Sequence, residues 1–235
     1  MEQPKASIII TSYNKPQYLK VCIDSCLQQT YNNIEIIIAD DNSSNPEVWN
    51  LINSYSDQRI IKFNSFISNE DRLKTARYAT QINTAVRNFS TGKYLFYLPD
   101  DDYFYSEKVR MHVEFAEANG YDVTYSAEDF IDASGNLCGI RYNNTPDNSP
   151  KVLESAFAIL DHSQVVTSRK VYDIVGGWDD SPVAWGDADA HFWNRISSAG
   201  YRFYPLPFVR LSAKRYREHS VQWNIANNLP PYAES

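Results

Sequence analysis

Residues 97–106 read YLPDDDYFYS, placing three consecutive aspartates, Asp100, Asp101 and Asp102, behind an apolar run. Adjacent carboxylates resist joint ionisation unless a cation or hydrogen-bond donors compensate them. Hard divalent ions with oxygen ligands do this well, above all when phosphate oxygens complete the shell. The run therefore reads as a magnesium or manganese site shared with a diphosphate. The alternative is a solvated acidic turn capping a helix that starts near Ser106.

Other residues could serve the same chemistry. Arg72 and Asn83 stand eleven apart in an apparent helix from about Asp71 to Phe89, which would put them on one face. In the first helical turn, Arg72 could hold a phosphate or a base carbonyl, or else pair with Glu70 or Asp71 at the surface. In VAWGDADAHFWNRI (183–196), Asp189 precedes Phe192 by three and Trp193 by four, sharing their helical face. A carboxylate on a packing face either serves as a general base or satisfies first-turn amides. Asp187 is the more natural N-cap there. Trp178 and Trp185 flank this stretch, placed to stack on an acceptor sugar or to fill core. KRYREHS (214–220) adds basic residues and His219, and reads as a flap turning Arg217 or His219 to a diphosphate or metal, or as a solvated basic strand.

The elements that must position these residues alternate. Apolar strands at 6–11, 34–41, 59–63, 93–98 and 121–126 are separated by helical patterns at 15–29, 46–55, 71–89 and 106–118. Near-continuous apolar strands alternating with helices predict an α/β protein whose mostly parallel sheet is covered on both faces. Ligands of such sheets bind beyond the carboxyl ends of the strands. Three strand ends carry polar clusters there: TSYN, DDNSS and PDDDY. Beyond Ala127, DASGNLCG reads as a hairpin turn, SQVVTS (163–168) as a strand and 187–199 as a helix. No repeat or composition break marks a second domain. The reading is one domain, with a nucleotide-binding half over about 1–102 and an acceptor-binding half over about 103–235.

Bulk properties narrow the class. The chain has 235 residues, 43% apolar and 14% aromatic, enough for a substantial core. A net charge of −7 argues against nucleic-acid binding, which needs a basic face. Cys22 and Cys26 are four apart and Cys138 is distant, so no metal or redox pair is spaced correctly and reduced thiols are expected. With no apolar run near 18–20 residues and no leader in MEQPKASIII, the expectation is a cytoplasmic protein, with peripheral membrane association left open.

The stretch SIIITSYNKPQYLKVCIDSCLQQTYNNIEIIIADDNSS resembles the opening of family 2 glycosyltransferases with the GT-A fold. The likeness extends through DRLKTARYATQIN, GKYLFYLPDDDYFY and GDADAHFWNRI to NLPP near the end, and within the family it is nearest to transferases of spore coat polysaccharide. It implies an inverting enzyme moving a sugar from a UDP or dTDP donor to a glycan or lipid-linked acceptor with manganese or magnesium. By position, Thr11, Ser12 and Tyr13 match residues lining base and ribose, and Asp41 the aspartate reading the base imide. Arg72 matches an arginine near base and phosphate, Asp100 the carboxylate beside the ribose, and Asp101 the metal ligand. Asp189 matches the general base, followed six residues later by Arg195, and His219 falls where many members carry a metal-binding histidine. Two positions depart from the pattern. Pro99 stands where the first aspartate of D-x-D is usual, so that Asp102 rivals Asp101 for the metal. The acidic pair before the base helix reads Ala188-Asp189, leaving Asp187 as the alternative base. A sugar nucleotidyltransferase would carry a glycine-rich loop after the first strand, which TSYNKPQ lacks. A non-catalytic nucleotide- or sugar-binding subunit is the other alternative, its sign being loss of aspartates that are present here.

Overall fold

The computed structural model describes residues 3–68 and 70–216. In order, the elements are β1 (Ala6–Ser12), α1 (Pro16–Leu27), β2 (Ile34–Asp40), α2 (Pro46–Ser54), β3 (Ile60–Asn64), α3 (Arg77–Asn88), β4 (Tyr94–Pro99) and β5 (Tyr103–Phe104). There follow α4 (Lys108–Asn119), β6 (Val123–Ile131), β7 (Leu137–Arg141), β8 (Val165–Ser168), α5 (Arg169–Val175), α6 (Ala188–Ser198) and β9 (Tyr204–Arg215). Short 3-10 turns lie at Arg72–Lys74 and Pro182–Ala184.

The isoleucine runs build the sheet because successive side chains leave opposite faces. Ile8 and Ile10 join Ile36, Ile38, Phe96 and Leu98 in one core with residues of α1, α2 and α4. Ile9, Ile37, Leu95 and Tyr97 enter a second core with α3, α5 and α6. Full burial of one such side chain is worth about 1.5–3 kcal/mol, so exposing either face would be costly and helices must cover both.

The strand order is β3-β2-β1-β4-β8-β6-β9-β5, with β7 paired to the outer part of β6. The strands β3, β2, β1 and β4 are mutually parallel. Next comes β8, antiparallel to both β4 and β6, and then β9, parallel to β6. The majority direction is therefore shared by β1–β4, β6 and β9, as the alternation predicts. The reversal of β8 has a consequence for the site. Its first residues, not its last, lie at the edge where β4 ends. No helix among the described residues is long and apolar enough to cross a membrane.

The helix expected over 71–89 is interrupted. Thr75 is extended at φ −144° and ψ 157°, Ala76 gives its amide to Asp180 O, and α3 starts only at Arg77. Arg72 therefore lies in a separate 3-10 turn, outside the first turn of α3 and off the helical face of Asn83. The basic strand expected at 214–220 is also corrected in part: Lys214 and Arg215 end β9 and are buried, at 8% exposure each.

Candidate active site

The central strand β1 organises the site. Its terminal carbonyls reach both neighbours, Ser12 O accepting the Asp41 amide at 2.9 Å and Thr11 O the Asp100 amide at 3.0 Å. Asp41 and Asp100 are thus set on either side of Tyr13. The turns leaving β1 and β2 each use an asparagine at positive φ, Asn14 and Asn42, a region asparagine tolerates better than most residues. They are stitched together as Asn14 Nδ2 donates to Ser44 Oγ at 3.1 Å and Asn14 Oδ1 accepts the Asn45 amide at 3.0 Å.

Asp41 is buried and held by two guanidinium groups. Arg72 donates to its Oδ2, and Arg77 donates from Nε at 3.0 Å and from its terminal nitrogen at 2.6 Å to Oδ1. Ser65 Oγ adds a bond at 3.0 Å. The Arg72 guanidinium lies 4.0 Å over the Tyr13 ring. Two buried polar atoms here have no partner, Arg72 Nε and Ser12 Oγ. A stacked ring, a paired carboxylate and polar atoms without partners together suit a planar, hydrogen-bonding base. Asp40, by contrast, faces the other way and accepts from the Ser43 amide, Ser43 Oγ and Trp49 Nε1, holding the start of α2.

The three aspartates divide. Asp100 is buried, accepts the Tyr13 amide at 2.8 Å and faces Lys15 Nζ at 2.9 Å. Burial raises its carboxyl to about 6, with Lys15 opposing and Asp101 adding to the rise. Asp101 is 2.8 Å from the same ammonium, and its side chain is 13% exposed. Asp102 turns inward and accepts the Arg215 amide at 2.8 Å. Burial, reinforced by Asp101, pushes its carboxyl well up. Lys15 thus places one positive charge between two carboxylates, where a hard divalent ion would find oxygen ligands. Asp102 is committed to β9.

The second half of the site meets at the start of β8. Asp161 pairs with Lys214, and Arg141 lies 3.6 Å from it. Burial would raise the Asp161 carboxyl, but Lys214, His162 and Arg141 outweigh it and hold it far below the ordinary range. His162 Nδ1 is 3.8 Å from Asp161 Oδ1 and 3.7 Å from Asp189 Oδ2. Asp189, in the first turn of α6, has a side chain 20% exposed. Potential ligand atoms of Asp161, His162 and Asp189 all lie within 4.8 Å of one another. Lys214 and Arg141 already compensate Asp161, so the group is organised as an ion-pair network.

Several expectations are corrected by these contacts. Asp187 is the N-cap residue of α6 as expected, but its side chain makes no cap bond; Asp189 Oδ1 takes the Ala190 amide at 2.8 Å and Tyr78 Oη the Ala188 amide at 2.8 Å. Asp187 stands 51% exposed instead. Trp178 is 2% exposed within the core, leaving no face for a sugar ring, whereas Trp185 is half-buried. Asn83 is spent internally, bridging the Trp178 backbone at both polar groups and accepting from Tyr172 Oη at 2.8 Å. Arg195 donates to Gly177 O. Arg217 and His219 lie outside the described residues. Arg77, Lys15, Tyr78 and His162 are the site residues that sequence reasoning passed over.

Residues 7–156 match the sequence family described as Glycosyl transferase family 2. The chain belongs to glycosyltransferase family 2. This family 2 chain is 39% identical over 234 residues to Protein CgeD of Bacillus subtilis (strain 168), covering 96% of itself and 53% of that protein. It thus spans about half of CgeD. It is 26% identical over 236 residues to the UDP-Glc:alpha-D-GlcNAc-diphosphoundecaprenol beta-1,3-glucosyltransferase WfaP of Escherichia coli, covering 95% of itself and 86% of WfaP. Among solved structures, S. aureus TarS 1–349 in complex with UDP superposes with a TM-score of 0.72 at 14% identity, over 90% of this chain and 60% of that one. The mannosyltransferase PcManGT from Pyrobaculum calidifontis, in complex with GDP-Man and Mn2+, gives 0.65 at 15% identity, over 91% and 57%. These likenesses establish the GT-A fold.

Proposed function

We propose that this chain transfers a sugar from a UDP or dTDP donor to a hydroxyl of a glycan or lipid-linked acceptor, with inversion at the anomeric carbon. The observation that carries the reading is the buried Asp41, clasped by Arg72 and Arg77 beside the Tyr13 ring. Asp41 accepts the imide hydrogen that uracil and thymine share, and Arg72 Nε gives its unused hydrogen to a base carbonyl. Asp100 takes the ribose hydroxyls. WfaP, named for a UDP-Glc donor, and TarS, solved with UDP, support a uridine nucleotide. The likeness of the opening and aspartate motifs to the spore coat polysaccharide transferase SpsA belongs to the same reading.

Asp101, with Asp100 beside it, would hold magnesium or manganese. Such an ion supplies positive charge against the departing diphosphate. Asp102 supports β9 from behind. Asp189 removes the proton from the acceptor hydroxyl, whose oxygen then forms the bond to the sugar as the bond to the diphosphate breaks. The strands and helices before residue 103 supply the donor half, and those after it the acceptor half.

Calorimetric titration of UDP and dTDP, each with manganese and with EDTA, against wild type and Asp101→Ala, tests the donor site. Metal-dependent binding lost in Asp101→Ala is the expected result. Folded protein that binds neither nucleotide overturns the reading. For the base, Asp189→Asn should lower transfer about 10²- to 10⁴-fold, and near-full transfer would reassign the role.

A further inference from the structure

We propose that His162 is the positioning residue of the base, its ring holding the Asp189 carboxylate in place by spanning the gap between Asp189 and Asp161. This inference rests on the reading of Asp189 as general base. The geometry comes from three elements. Because β8 is antiparallel to β4, the residues just before it lie at the carboxyl edge of the parallel strands. His162 Nδ1 stands between two carboxylates, 3.7 Å from Asp189 Oδ2 and 3.8 Å from Asp161 Oδ1. The Tyr78 ring stacks on the imidazole at 5.9 Å between centroids, and the Trp178 ring closes an edge at 6.0 Å. Tyr78 also accepts the Ala188 amide, so the residue packing His162 fixes the first turn of the helix carrying Asp189.

Charges around the ring favour this role. Asp161 is already matched by Lys214 from β9 and by Arg141 from β7. Glu128 of β6 is taken by Arg141 and Ser163 Oγ. Among the described residues no arginine or lysine forms an ion pair with Asp189, on which Arg141 acts only at longer range; its other oxygen accepts the Ala190 amide at 2.8 Å. His162 is thus the basic group nearest to it among the described residues. Burial lowers the imidazole, but Asp161 and Asp189 outweigh burial and raise it overall. An aspartate held in one orientation meets the acceptor hydroxyl without rearranging.

Two measurements test the proposal. In the first, the histidine rings of the protein, without donor or metal, are titrated by NMR, with His162 assigned by its absence in His162→Gln. His162 should titrate above the ordinary imidazole value of about 6.5 and fall in Asp189→Asn. Identical titration with and without the Asp189 carboxylate overturns the pairing. In the second, UDP release from UDP-glucose and UDP-N-acetylglucosamine with manganese is followed, with water as acceptor. His162→Phe, which keeps the stack, should lower kcat about 10- to 100-fold at unchanged donor KM, with partial recovery in His162→Gln. Thermal melts and UDP binding confirm that each variant is folded. Full kcat in His162→Phe alongside an inactive Asp189→Asn sinks the positioning role and leaves the base standing. An active Asp189→Asn sinks the base itself. If neither donor is turned over, the NMR titration alone decides.

Discussion

Asp41 concentrates the donor site in one buried carboxylate with two guanidinium partners, and Arg77 is the partner whose loss says most. Arg72 is tied to Tyr13 as well as Asp41, so it can reorganise around a ligand. Arg77 also donates to Thr75 Oγ1 at 2.9 Å, but its main grip is on both oxygens of Asp41. Hydrogen bonds to charged groups contribute about 1.5–3 kcal/mol each, and leaving a buried charge under-compensated adds to the loss. Arg77→Ala should therefore destabilise the protein by about 2–3 kcal/mol and weaken UDP binding at least tenfold. Arg77→Lys should recover little, because a point-charge ammonium does not reproduce the fork. Denaturant melts with UDP calorimetry check this, and unchanged affinity in Arg77→Ala would remove the residue from the donor site. The sequence hid Arg77 for a geometric reason. Five residues from Arg72 on a continuous helix, it would point to a different face. Only the break at Thr75 and Ala76 lets both arginines meet one aspartate.

At the scale of elements, the sheet and its carboxyl edge were legible because two-sided burial leaves unbroken apolar strands. The polar clusters after β1, β2 and β4 did come together. What periodicity could not carry is strand direction. The short apolar run at 163–168 looks the same whichever way it runs, so Asp161 and His162 gave no signal of facing the site. The seam joining α3, α5 and α6 was equally hidden, since it is built on a buried amide. Asn83 binds the Trp178 backbone and the Tyr172 hydroxyl, and Gly177 sits against both groups at φ +83°. A Cβ on Gly177 would lie 2.7 Å from Asn83 Oδ1 and 2.7 Å from Tyr172 Oη. Gly177→Ala should thus cost about 2 kcal/mol or more from strain and lost hydrogen bonds together. Asn83→Ala should cost a similar amount, and the double variant less than the sum, because both break one network. Additive losses in denaturant melts would show that the two act independently.

Across the whole molecule, ionisable groups sealed in the interior make stability depend on pH, in a direction set by the charge each one loses on burial. Lys108 is wholly buried on α4, donating to Ser126 Oγ of β6 at 3.0 Å and Gln164 O at 3.1 Å. Burial lowers its ammonium to about 7, with Glu128 opposing. Unfolded, the same group titrates near 10.4. Between those values the unfolded chain binds a proton that the native chain does not, so stability rises with pH across roughly 7 to 10. Below 7 both states are protonated and the dependence ends. Asp100 acts in the opposite sense at the active-site edge. Its carboxyl is raised to about 6, so its penalty is full above 6 and is relieved as pH falls toward the ordinary carboxylate value. Lys108→Met isolates the first effect, because every other titrating group is common to both proteins. The wild type should gain up to about 1 kcal/mol per pH unit relative to Lys108→Met between pH 7 and 9. Parallel curves for the two proteins would mean that Lys108 stays charged in the fold. Its bonds to β6 and to the chain leading into β8 would then be those of an ammonium stabilised by Glu128, not of a neutral amine.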